Sequence, residues 1–251
     1  MLNRLSSLVG PLSPRSPQDV VTRGLVVRLE TGRKGSYPES GTTWTDLTGG
    51  NDGTLSGPTW SSTDGGIFDF DGSNDIVTIT HDSNISLSTS AQRTVQVWVK
   101  FDALPASPKR TILLAKLSGN FSFDGYWAGI DSAGKAVCAT NGTSVSKTTT
   151  SASSISIDTW YLYTFISQIT STTNTTKVYI NDTEYISTSH GSDGYSESNN
   201  FLLGYFPTPH TGLSTEAYLD GKVGACHIYN RGLSLDEIKQ NFNAQRSKYG
   251  V

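Results

Sequence analysis

The chain has 251 residues, only 16% of them charged, and a formal net charge of −3. That balance excludes a basic surface built to neutralise nucleic-acid phosphates, and no apolar run is long enough to span a bilayer. The two cysteines, Cys138 and Cys226, do not make a disulfide framework. Each reads as a small buried hydrophobe, with a single bridge between them as the alternative.

In chain order, residues 1–22 read as an arm. Gly10-Pro-Leu-Ser-Pro-Arg-Ser-Pro17 carries three prolines and no periodicity, so neither a helix nor a central strand forms there. Leu5, Leu8 and Val9 are interrupted by two serines and stopped by Pro11. No full apolar signal region results, which predicts synthesis in the cytoplasm. Arg4, Leu5, Leu8 and Arg15 are the arm's candidate assembly contacts.

Strand signals begin at Leu25-Val-Val-Arg-Leu29. Residues 31–66 form a long irregular stretch of Gly, Ser, Thr and Asp punctuated by Trp44, Leu47, Leu55 and Trp60, a loop anchored over a sheet. Ile67–Phe70 and Ile76–Ile79 flank a turn at Asp71–Asp75. Residues 93–101 alternate cleanly, Val95, Val97, Val99 and Phe101 against Thr94, Gln96, Trp98 and Lys100. Further strands are expected at 111–117, 124–130, 135–140, 160–168, 176–180, 184–188 and 200–205, with a hairpin turn at Asn181-Asp182. A last strand places Val223, Ala225, His227 and Tyr229 on one face. A helix then follows, with Ser234 and Glu237 at capping-box spacing and Leu235, Ile238 and Phe242 on one side. Many short strands with polar turns indicate a sandwich or jelly roll. No linker divides residues 23–251, so one domain is expected.

The landmarks carry a resemblance. Ser36-Tyr-Pro-Glu-Ser-Gly-Thr-Thr-Trp-Thr-Asp-Leu47, Phe70-Asp-Gly-Ser-Asn-Asp75, Val95-Gln-Val-Trp-Val99, Thr159-Trp160, Lys177-Val-Tyr-Ile-Asn181 and Asp220–Glu237 occur in the order of the concanavalin A-like, laminin-G-type jelly roll. The resemblance implies an all-β, concanavalin A-like β-sandwich with an N-terminal extended arm and one short C-terminal helix. Glu237–Ala244, Lys248-Tyr-Gly250 and the Tyr37–Trp44 loop are similar to domains in structural proteins of large tailed phages. That implies a non-enzymatic virion protein, a capsid decoration protein of the cement or head-fibre kind, on the particle surface. Its partners would be capsid or other virion proteins, further copies of itself and host-surface glycan. The chain departs from the family pattern at Gly224 and Ala225, where relatives carry an acidic pair, and at Glu30-Thr-Gly-Arg33, where they carry Asp-Ala-Gly-Asn. Both changes argue against an inherited polar site.

Fold alone does not decide chemistry. Retaining glycosidases of this sandwich resemble one another in a Glu-x-Asp-x-x-Glu strand motif, which is missing here; the nearest carboxylate pair is Asp69 and Asp71. There is no nucleophile elbow, no zinc spacing and no phosphate loop. No cofactor is expected apart from calcium, for which Asp71, Asn74 and Asp75 offer clustered oxygens; the same residue types also simply form turns. Sugar binding needs exposed rings beside polar groups. The candidates are Tyr126 and Trp127, with Tyr205, Phe206 and His210. Trp44, Trp60, Trp98 and Trp160 read as core or loop anchors. The alternative to a virion role is a carbohydrate-binding module or adhesin, followed by a glycosidase or lyase.

Overall fold

The structure, a computed structural model, describes residues 19–86, 91–117, 123–142, 149–170, 172–191, 198–205 and 216–251. Arg4, Leu5, Leu8, Arg15, Phe206 and His210 lie outside the described residues.

Two sheets face each other. The first contains, from edge to edge, β14 (Thr183–Gly191), β13 (Thr173–Ile180), β12 (Trp160–Ile169), β7 (Gln92–Phe101), β17 (Asp220–Tyr229), β5 (Ile67–Asp71) and β4 (Thr59–Ser61), with β1 (Leu25–Glu30) also paired to β17. The second runs β11 (Thr149–Ser154), β10 (Lys135–Gly142), β9 (Phe123–Asp131), β8 (Arg110–Leu117), β15 (Phe201–Leu203), β6 (Ile76–Ile79), β3 (Gly53–Ser56) and β2 (Thr43–Trp44), with β16 (Glu216–Ala217) parallel to β8. The sequence reading missed β2, β3, β4, β11 and β16. They are short or rich in Ser and Thr, so their pairing partners, not their apolar content, define them.

The expected alternation of β7 is observed. Val95, Val97, Val99 and Phe101 enter the core between the sheets, with Phe165, Ile228, Leu114, Tyr126 and Cys138. Burying each large apolar side chain contributes about 1.5–3 kcal/mol. Both cysteines are buried and free. Burial pushes the Cys138 thiol up to about 12, so it packs as a hydrophobe.

β17 departs from the expected alternation. Its register shifts between Val223 and Ala225, a bulge that turns the strand's faces over. Val223 therefore joins Cys226 and Ile228 in the core, while Ala225 and Tyr229 face outward beneath the helix. The bulge also divides the edge of β17: residues 220–223 pair with β5 and residues 225–229 with β1. Gly224 has a steric reason, since a Cβ there would stand 2.3 Å from the Tyr249 hydroxyl.

The helix α1 (Leu235–Gln245) lies on the outer face of the first sheet. Ser234 Oγ accepts from Glu237 N at 3.3 Å, and Ser234 N donates to Glu237 Oε2 at 2.9 Å, closing the capping box. The Arg231 guanidinium beside Glu237 holds its carboxyl down at about 2. Ile238, Asn241 and Phe242 are buried. Leu235 is not: it is 41% exposed, because a first-turn side chain leans back toward the N-terminus, away from the sheet. Trp98 stacks between Phe242, at 5.8 Å, and Tyr249, at 4.4 Å.

Residues 19–22, which the sequence reading placed in the arm, pack on the domain: Val20 and Val21 are 3% and 8% exposed. Among the described residues no helix is long and apolar enough to cross a membrane.

Candidate functional site

The β5–β6 turn spends its oxygens on itself. Asp75 Oδ2 accepts from Asp71 N at 2.8 Å, and Asp71 Oδ1 from Ser73 N at 2.9 Å. Asp75 is buried, and its burial and the nearby Asp71 and Asp69 charges raise its pKa, partly offset by the Asp71 amide. Asn74 is exposed. Calcium takes six to eight oxygens in one shell. Here the two carboxylates face the chain's own amides, and among the described residues no three His, Cys, Asp or Glu side chains converge on a metal position.

Asp69 and Asp71 occupy alternate positions of β5. Asp69 Oδ1 stands 3.6 Å from Lys222 Nζ, which also pairs with Asp102. One carboxylate is held by a cation and the other caps a turn, so the pair supports structure.

The aromatic candidates separate. Tyr126 is fully buried in the core and stacks on Phe165 at 5.3 Å. Trp127 lies on the opposite face of β9 but is only 2% exposed, packed with Ile112, Ala115 and Val137. Neither offers a ring to solvent, which corrects the sequence reading; core strands consume rings because large apolar area stabilises most when buried. Tyr205 is half-buried and stacks on Tyr218 at 3.7 Å. Tyr218 lines a cavity of about 170 Å³ with Asp71, Pro105 and Asp220.

A larger cleft, about 660 Å³, lies where the sequence showed only an irregular stretch. Thr43, Thr45, Asp46, Asn51, Asp52, Thr54, Thr80, His81 and Asp82 line it. Its loop is built around Asp46. Oδ1 accepts from Arg28 N and Thr48 N, and Oδ2 from Thr48 Oγ1, Gly50 N and Asn51 N, at 2.6–3.2 Å. Trp44 and Tyr37 anchor the loop edge-on to Phe68, at 4.9 and 4.8 Å. Behind the cleft the fully buried Lys116 places Nζ 3.0 Å from His81 Nδ1. The cleft is therefore polar and held in one shape before any ligand arrives. The one sequence signal for it was the Trp44-Thr-Asp46 run.

A second polar group lies under α1, at the segment whose departures argued against a polar site. Glu30, 5% exposed, accepts from Arg28 Nε at 2.8 Å and Gln245 Nε2 at 3.2 Å and pairs with Arg33; His227 Nε2 lies 3.3 Å away. Burial alone would raise the Glu30 pKa. His227 and Arg28 more than offset it, to about 2. Gln245 Oε1 accepts from Trp98 Nε1 at 2.8 Å, and Asn241 Nδ2 donates to Gln96 Oε1 and the Tyr229 hydroxyl. The segment remained polar, but its charges fasten the helix to the sheet.

The sandwich with its outer helix agrees with sequence comparison. The family of the concanavalin A-like lectin/glucanases superfamily matches residues 71–239. The chain belongs to this family. Similar solved structures include Trypanosoma rangeli sialidase in complex with the inhibitor DANA, at 15% identity and a TM-score of 0.67, covering 91% of this chain and 34% of that one. Another is botulinum neurotoxin type C, which depends on two ganglioside molecules to enter cells, at 16% identity and a TM-score of 0.66, covering 88% and 51%. The chain thus spans about a third to a half of these proteins, and the likeness is one of fold. No curated protein sequence matches.

Proposed function

We propose that this chain is a non-enzymatic structural protein of a tailed-phage virion, a capsid decoration protein displayed on the particle surface with glycan adhesion as a further role. The observation that carries this reading is the fastening of the segment that leads into the arm. Val21 N donates to Asn241 Oδ1 at 2.7 Å, Gln240 Nε2 donates to the Asp19 carbonyl at 2.9 Å, and Asp19 pairs with Arg28 at 2.9 Å. Val21 packs with Tyr229, Leu233 and Ile238. A pull on residues 1–18 would therefore reach the central strand β17 through both α1 and β1. This suits an arm that grips capsid or other virion proteins through Arg4, Leu5, Leu8 and Arg15, while the sandwich faces outward as a homo-oligomer. The occupied carboxylates Asp69 and Asp71 favour assembly over hydrolysis.

Mass spectrometry of purified particles, with the copy ratio to the major capsid protein, tests the role. A fixed stoichiometry, lost when residues 1–18 are deleted, is expected. A stable monomer absent from particles would overturn it. A second reading, a carbohydrate-binding module or adhesin, is favoured by the rigid polar cleft around Asp46. A glycan array with no hits, with and without calcium, would count against it.

A further inference from the structure

The main path of each sheet ends in two edge strands, and the two sides of the sandwich differ. On one side the edges are β4 and β2, three and two residues long. On the other they are β14 and β11, nine and six residues long. Short edges, prolines, edge lysines and bulges are the usual defences against pairing with a second chain. β14, Thr183-Glu-Tyr-Ile-Ser-Thr-Ser-His-Gly191, contains no proline, lysine or arginine. Its one irregularity is a register shift that skips Tyr185, and from Ile186 to Gly191 its register against β13 is unbroken.

Among the described residues, β14 takes its backbone partners from β13 alone. Successive residues of an antiparallel strand aim their N–H and C=O groups to opposite sides, so about half of those in residues 186–191 point away from β13. Ile186 is buried in the core, while Ser187 and Ser189 are exposed. Glu184, the one carboxylate of the strand, is already engaged: Oε2 lies 3.4 Å from Lys177 Nζ and accepts from the Tyr179 hydroxyl at 2.7 Å. From Tyr185 onward the edge therefore carries no carboxylate, lysine or arginine. β11, Thr149-Thr-Ser-Ala-Ser-Ser154, lies beside β14 at the edge of the facing sheet and is uncharged too, with Thr150, Ala152 and Ser153 exposed.

We propose that β14 is the contact strand of a homodimer, pairing antiparallel with β14 of a second copy across a twofold axis and joining two eight-stranded sheets into one. The inference deepens the homo-oligomer of the proposed function and rests on that reading for its partner. A twofold axis reverses the strand. An antiparallel edge presents the same alternation of donors and acceptors in either direction, so it complements itself. Residues 186–191 would supply about six backbone hydrogen bonds, one per residue. Uncharged Ser and Thr edges meet their copies without like-charge repulsion. The strand rise and the sheet spacing make the side wall of β14 and β11 roughly 30 Å by 20 Å. Two such walls bury roughly 1,200 Å², the lower bound for a stable interface. The chain's own arm is the poorer occupant. Pro11, Pro14 and Pro17 fall on both parities of an extended chain, so donors facing β14 are lost in either register.

The test is analytical ultracentrifugation of the full chain over a concentration series, with amide hydrogen exchange measured at both ends of that series. A monomer–dimer equilibrium with a Kd on the order of micromolar is expected. Exchange should slow in residues 186–191 on dimerisation and stay unchanged in β4 at the opposite edge. Ser187→Lys combined with Ser189→Lys puts like charges across the axis and should weaken dimerisation about tenfold or more. Ser187→Glu combined with Ser189→Glu should do the same. An equimolar mixture of the two double variants should dimerise again, because opposite charges then face each other. Thr59→Lys, on the exposed edge of β4, should change nothing. A chain that stays monomeric at concentrations on the order of 100 µM would overturn the inference. So would a dimer whose residues 186–191 exchange no more slowly than in the monomer, a result that needs no variant to fold. A dimer indifferent to both double variants, or a mixture that fails to associate, would place the partner surface elsewhere and overturn it as well. Particle composition tests the virion reading separately: a monomer found in particles sinks only the edge pairing, and a dimer absent from particles sinks only the virion role.

Discussion

Glu30 and Asp75 are both buried carboxylates, 5% and 3% exposed, yet protons act on them in opposite directions. Glu30 sits among Arg28, Arg33 and His227, and its pKa falls to about 2. Asp75 sits near Asp69 and Asp71, and burial together with those charges raises its pKa. Asp220, beside Asp102, Asp69 and Asp71 with Lys222 for relief, is raised for the same reasons. Burial penalises charge in both regions; the neighbours decide the outcome. One region is a lock between helix and sheet. The other is a turn that tolerates its charge.

The signs follow by linkage. The Glu30 contribution is fully present above its ordinary value of 4.5 and is lost as pH falls toward about 2; the shift corresponds to about 3 kcal/mol. The Asp75 contribution has the opposite sign, present below its ordinary value of 3.8 and lost as pH rises through its raised folded value.

The strongest way to break the contrast is Glu30→Ala, which takes the buried acceptor from Arg28 and Gln245 and leaves Arg28 only its exposed partner Asp19. It should cost about 3–5 kcal/mol in chemical denaturation and flatten the acid limb of stability between about pH 4.5 and 2. An unchanged acid limb would mean that Glu30 is not its source. Gly224→Ala should cost about 1–3 kcal/mol by driving a methyl group into Tyr249, read as a lower Tm and altered near-UV circular dichroism from Trp98. Lys222→Met should cost about 1 kcal/mol at neutral pH, shrinking as the surrounding aspartates protonate; a cost that grows on acidification would contradict the charge argument. Asp75→Asn should change stability by less than about 0.5 kcal/mol, because an amide oxygen can still accept from Asp71 N while the repulsion disappears. Its pH–Tm curve should lose the component that falls as pH rises.

Much of this molecule was legible in short windows. The period-two run of β7, the capping box of α1 and the Asp71–Asp75 turn depend on residues a few positions apart, and each stands where the sequence placed it. The reading failed where one inserted residue changed the phase. The bulge at Gly224 moves Val223 from the helix side to the core, and periodicity alone cannot register a one-residue shift in pairing. It failed again in residues 31–66, where β2, β3 and β4 form because neighbouring strands offer amides and carbonyls, and where Asp46 organises a cleft from donors spread over residues 28–51.

The sequence by itself determined a two-layer β domain closed by a capped helix, because alternation, turn chemistry and capping act through the chain's own near neighbours. Tertiary structure alone decided which chemically similar side chains do what. Trp60 reaches a cavity while Trp127 is covered, since exposure depends on what packs above a ring. Glu30 became a lock and Asp75 a turn brace, since the charges facing a carboxylate come from strands and helices distant in sequence.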